Sequence, residues 1–149
     1  MNRWCRRTVW TIINSGVLCA QSTSEDTNLA NSCLVLRAKL DAWQKQRKRD
    51  FPEEGLTLLN DLVPKMLGTR AAPKCKVKGA ECWTILLFLL NQLDTFKGRA
   101  GADWQRLHMA GKCLEDIVLV WRRGSWVLSR DEIQDVCTCG SKTKSQCEM

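Results

Sequence analysis

Apolar positions recur along most of this chain at the three-and-four spacing of amphipathic helices. Leu29, Cys33, Leu36, Leu40 and Trp43 form the first stripe, which runs into the basic cluster Lys45, Arg47, Lys48 and Arg49. Pro52 then restarts the chain. With Glu53 and Glu54 behind it, it suits a helix N-terminus, and Leu56, Leu59, Val63 and Met66 supply the next stripe, with Pro64 as a kink or early end and Gly68 as the stop. Residues 69–80 read as an exposed basic loop, with Lys74, Lys76 and Lys78 alternating around Cys75. From Cys82 to Phe96 apolar residues occupy every face, so this helix is expected at the centre of the core. Asp103 caps a further helix with the stripe Trp104, Leu107, Gly111, Leu114, Val118 and Trp121, closed by Arg122, Arg123 and Gly124. Ser129 and Glu132 have capping-box spacing and start a last short helix through Val136.

The pattern predicts an all-α protein: a compact bundle of four main helices, near 32–49, 53–67, 81–97 and 103–123, plus a short C-terminal helix. Its helical domain spans 28–136, preceded by a flexible basic N-terminal arm (1–27) and followed by a polar, cysteine-containing tail (137–149). A length of 149 residues with 44% hydrophobic side chains agrees with one domain. No stretch reaches the roughly 18–20 apolar residues of a membrane span.

Composition changes this picture in three respects: seven Trp beside no Tyr, nine Cys beside one His, and a net charge of +7. Basic residues outnumber acidic ones nine to four in residues 1–50, chiefly through Arg3, Arg6, Arg7 and the 45–49 cluster, and the balance is even in 101–149. The cluster suits a phosphate or lipid head group, and equally a solvated helix end; without Gly-rich loops or interleaved aromatics the second is favoured. Arg3, Arg6 and Arg7 ahead of the moderately apolar Thr8–Ala20 also outline a signal peptide, whose cleavage after Ala20 would remove Cys5 and Cys19. Asn14, Ser15 and Gly16 interrupt that outline, and the chain has no Asn-x-Ser/Thr acceptor.

Candidate chemistry is sparse. His108 sits five residues from Cys113 on one helix, where the two side chains diverge, and the neighbouring pairs Glu115–Asp116 and Asp131–Glu132 diverge as well. No catalytic residues and no cofactor are expected. Cys137, Cys139 and Cys147 are weak metal candidates, with Cys75, Cys82 or Cys113 as a fourth ligand, against the alternative of an unliganded tail. Cys33 and Cys82 fall on apolar stripes as small buried hydrophobes. Trp43, Trp83, Trp104 and Trp121 read as core anchors; Trp4, Trp10 and Trp126 lie outside the stripes, and Trp126 is a candidate contact residue with Lys45, Arg47, Lys48 and Arg49.

The order of the C-terminal half resembles a known family. Trp83 opens an aliphatic helix, Trp104 starts another twenty-one residues later, and Cys113–Leu128 adds a third apolar stretch marked by Trp121 and Trp126. Over residues 82–128 this resembles the helical C-terminal half of the paramyxovirus C proteins, of morbillivirus type, whose basic, variable N-terminal part has a counterpart in residues 1–50. The resemblance implies a non-enzymatic accessory protein, encoded in a second frame of the phosphoprotein gene, that dampens viral RNA synthesis and opposes interferon induction or signalling. Its partners would be host signalling proteins or viral polymerase components, in the host cytoplasm. A secreted four-helix-bundle cytokine with residues 1–20 as signal peptide is the alternative, and nucleic-acid binding through the basic region is a third expectation.

Overall fold

A computed structural model describes residues 1–20, 22–97 and 102–123. The chain divides into two compact units, residues 1–99 and 100–149. The fold is all-α, and among the described residues the only strand-like feature is an isolated antiparallel bridge between Gly68 and Pro73. No helix among them is long and apolar enough to cross a membrane.

The first unit is built around α4 (Gly79–Thr95), as its all-round apolar pattern predicts. Every residue from Trp83 to Leu90 is buried, together with Gln92 and Leu93. Its first turn is stabilised by the Glu81 carboxylate, which accepts from the Lys78 backbone N–H at 2.7 Å. α1 (Asn2–Asn14) packs against α4 and inserts Trp4, Cys5, Thr8, Val9, Trp10, Ile12 and Ile13. Over these residues the expected flexible arm is replaced by a packed helix. The arginines that suggest an arm lie on its outer side: Arg3 and Arg7, one turn apart, are exposed and Arg6 is half-buried, while seven of the thirteen residues are buried. The Trp10 indole N–H donates to the Leu67 carbonyl at 2.9 Å, so this tryptophan, outside every sequence stripe, is a core residue.

α2 (Glu25–Asp50) starts earlier than its apolar stripe suggests, because the polar residues before it form the helix cap. The Ser24 hydroxyl accepts from the Thr27 N–H, and Glu25 and Asp26 occupy the positive end of the helix dipole. Its inner face buries Cys33, Leu36, Leu40 and Gln44. Trp43, an expected core anchor, is half-buried, tilted against Phe88 with ring centroids 5.8 Å apart.

The helix expected over 53–67 is absent. A single 3-10 turn (Pro52–Glu54) ends at Gly55 in the left-handed conformation, φ 62°, and helix resumes only for the four residues of α3 (Pro64–Leu67). Pro64 dictates the gap: the residue before a proline is pushed out of the helical region, and Val63 is extended at φ −118°, ψ 152°. Residues 56–63 lie instead as a strap along α2. Gln44 brackets Leu59, accepting from its N–H at 2.8 Å and donating to its carbonyl at 3.2 Å. The Cys33 thiol donates to the Leu62 carbonyl, Arg37 pairs with Asp61 at 3.0 Å, and Thr84 on α4 donates to the Thr57 carbonyl at 2.7 Å. Side chains thus satisfy backbone groups that a helix would have paired internally. After α3, Gly68 has φ 77° and its missing Cβ would fall on the Ala72 carbonyl oxygen. Cys75, expected in an exposed loop, is buried at 5% exposure while Lys74, Lys76 and Lys78 stay outside.

In the second unit, α5 (Ala102–Arg123) matches its predicted range and buries Trp104 and Leu107. Trp121 does not join them: it is 67% exposed. Seventeen residues after Trp104, a 3.6-residue helix has turned to about 100° off the side that Trp104 occupies. A stripe whose five intervals cover seventeen residues averages 3.4 and falls behind the helix, and Trp121 is where the difference becomes a change of side. The expected short helix ending at Val136 lies outside the described residues.

Candidate interaction surface

The basic cluster at the end of α2 divides into a structural residue and three surface residues. Arg47 is half-buried and bidentate to Glu54, with Nε–Oε2 at 2.7 Å and Nη2–Oε1 at 2.9 Å. Its guanidinium stacks on Phe51 at 4.4 Å and reaches towards Trp43 at 5.9 Å. It fastens the 3-10 turn to the helix end, which sets it apart from the exposed neighbours with which the sequence groups it. Lys45, Lys48 and Arg49 are exposed. Asp50 accepts from the Gln46 amide at 2.9 Å, and Arg49 donates to the neutral Gln46 oxygen at 2.8 Å. The three cations are thus presented to solvent without an ion-paired carboxylate, beside the exposed Asp50 and Glu53.

Upstream on the same helix, Leu34 is 64% exposed, and Ala38 and Ala42 are exposed after it at four-residue intervals. The sequence pattern marks α2 by its buried stripe, and this outer row, visible in the spacing, passes unnoticed behind it. A second feature without a sequence signal is a cleft of about 60 Å³ where α1, α2 and the loop after α3 meet, with Trp10, Ile13 and Leu29 among its lining. Glu25, Asp26 and Arg70 rim it, and Arg70 pairs with Glu25 at 3.4 Å.

The thiols are arranged for burial. Burial, and then the neighbouring Cys75 and Cys82, push the Cys5 thiol up to about 12. Burial and then Cys82 push Cys75 up to about 11, and burial also raises Cys33 and Cys82. Such thiols stay protonated at neutral pH and are poor nucleophiles. Cys82 is half-buried where full burial was expected. Among the described residues no group of three His, Cys, Asp or Glu side chains has metal-holding geometry. Cys137, Cys139, Cys147 and Trp126 lie outside the described residues. His108 and Cys113 are both half-buried on α5, and a five-residue separation turns them about 140° apart. Of the four expected tryptophan anchors, Trp83 and Trp104 are buried, Trp43 half-buried and Trp121 exposed. No protein-family model, no curated protein and no solved structure matches this chain.

Proposed function

We propose that this chain is a non-enzymatic interaction protein, a viral accessory factor that acts in the host cytoplasm by competitive protein binding, lowering interferon induction or signalling and modulating viral RNA synthesis. The observation that carries the binding role is the exposed cationic end of α2. Lys45, Lys48 and Arg49 stand free of carboxylate partners on a rigid helix whose end is fastened by Arg47 and Glu54. The accessory-factor reading is supported by the order of its tryptophans: Trp83 lies near the start of α4 and Trp104 in the first turn of α5, as in the family resembled.

The burial of α1 favours this reading over a secreted cytokine. Cleavage after Ala20 would take seven buried side chains from the first unit, Trp4 and Trp10 among them. The test is an interferon-promoter reporter in cells expressing the chain or its Lys45→Glu/Lys48→Glu/Arg49→Glu variant. Suppression by the parent and its loss in the variant, at equal protein level, is the expected outcome. A parent that leaves the reporter unchanged, together with a gene that lacks a long overlapping frame, overturns it.

A further inference from the structure

We propose that the outer face of α2, from Leu34 through Ala38 and Ala42 to Lys45, Lys48 and Arg49, docks an acidic amphipathic helix of a partner protein. This rests on the protein-binding function proposed above and names the partner's chemistry.

Leu34, Ala38, Ala42, Lys45 and Arg49 follow one another at intervals of four, four, three and four residues, so they lie on one side of the helix. All five are exposed, and that side is opposite the one that buries Cys33, Leu36, Leu40 and Gln44. The row has two halves with different properties. In the first, alanines one turn apart leave a shallow groove between larger ridges, which lets a second helix approach towards the near end of the usual 8–10 Å range. Leu34, at 64% exposure, is the aliphatic side chain that such a partner would cover. In the second half, Lys45 and Arg49 project from the row with Lys48 beside it; Glu54 is held by Arg47 and Asp61 by Arg37, while Asp50 and Glu53 are exposed past the end of the row. Asp41 lies half-buried at the edge of the row.

Charge complementarity therefore calls for carboxylates at one end of the partner and small or aliphatic side chains at the other. From Leu34 to Arg49 the row is roughly 23 Å long, so it accommodates about four turns of a partner helix. A nucleic-acid strand would use the cations but has no use for Leu34, Ala38 and Ala42. The row also lacks the aromatic platforms on which bases stack.

The probe is a synthetic helix of about 18 residues (five turns), fluorescently labelled, with Leu and Ala on one face flanked by Glu. Its Gln-for-Glu analogue and an oligothymidylate serve as competitors. Titrated with the full chain, the Glu peptide is expected to bind at micromolar strength and the Gln analogue at least tenfold more weakly. Lys45→Glu/Lys48→Glu/Arg49→Glu and, independently, Ala38→Arg should each weaken the Glu peptide at least tenfold, about 1.4 kcal/mol. Circular dichroism establishes that each variant keeps its helix content. Equal binding of both peptides, or binding unaffected by Ala38→Arg, overturns the proposal. If the charge reversal alone abolishes binding, the cationic end acts without the groove, and the protein-binding function stands while this docking mode fails. Oligothymidylate that outcompetes the peptide, or a sedimenting dimer that Ala38→Arg dissolves, assigns the row to nucleic acid or to a second copy and likewise overturns it.

Discussion

Arg47 shows how one side chain can be mistaken for its neighbours. It shares with Lys45, Lys48 and Arg49 a charge and a place in the cluster, yet its planar fork is engaged twice by Glu54 and covered on one side by Phe51. Arg47→Ala is expected to lower the unfolding free energy by about 1–3 kcal/mol, because it leaves a mostly covered carboxylate without its donors. Lys48→Ala should change it by less than about 0.5 kcal/mol; chemical denaturation of both variants checks the contrast. The thiols make a second residue-scale prediction. Burial raises Cys5 from 9.0 to about 12, so the folded state holds its proton more tightly than the unfolded chain does. The resulting stability is complete below pH 9 and is lost as pH rises towards 12. Cys5→Ala is expected to flatten that part of the stability profile, measured by denaturation at successive pH values.

At the scale of elements, the helices whose apolar residues fill a face or the whole circumference were legible: α2 from Leu29 to Trp43, α4 from Cys82 onwards, and α5 from Trp104. The strap over 56–63 was not, because apolar residues three and four apart serve an extended segment lying on a helix as well as a helix. Pro64 and Gly55 held the information, and the apolar spacing concealed it. α1 was hidden for a different reason: its arginines and the interruption at Asn14–Gly16 resemble an arm or a leader, whereas seven of its thirteen residues are buried. Of the binding surface, the cations were legible as a group and the role of Arg47 was not, since Glu54 meets it only through the fold. The strap depends on Gln44, whose amide serves both backbone groups of Leu59. Gln44→Leu should cost about 1–3 kcal/mol for each buried group left unpaired. It should also speed amide exchange at Leu59 relative to α4, which hydrogen-exchange mass spectrometry reads directly.

For the whole molecule, the division into two units sharpens the charge imbalance. Residues 1–99 carry sixteen basic and nine acidic side chains, whereas 100–149 carry seven of each, so the entire +7 belongs to the first unit. Attraction of an anionic partner is therefore a property of that unit and weakens as salt rises. The second unit, being neutral, contributes no net long-range field. The packing of α1 on α4 also has a consequence in time. Between Asn14 and Gly79, where α4 starts, lie sixty-four residues, so during synthesis α1 emerges well before the helix that covers it. At 5–20 residues per second, Trp4, Val9, Trp10 and Ile12 wait roughly 3–13 s before their partner begins to emerge. For that interval the nascent chain exposes the apolar side of α1, which the completed fold covers.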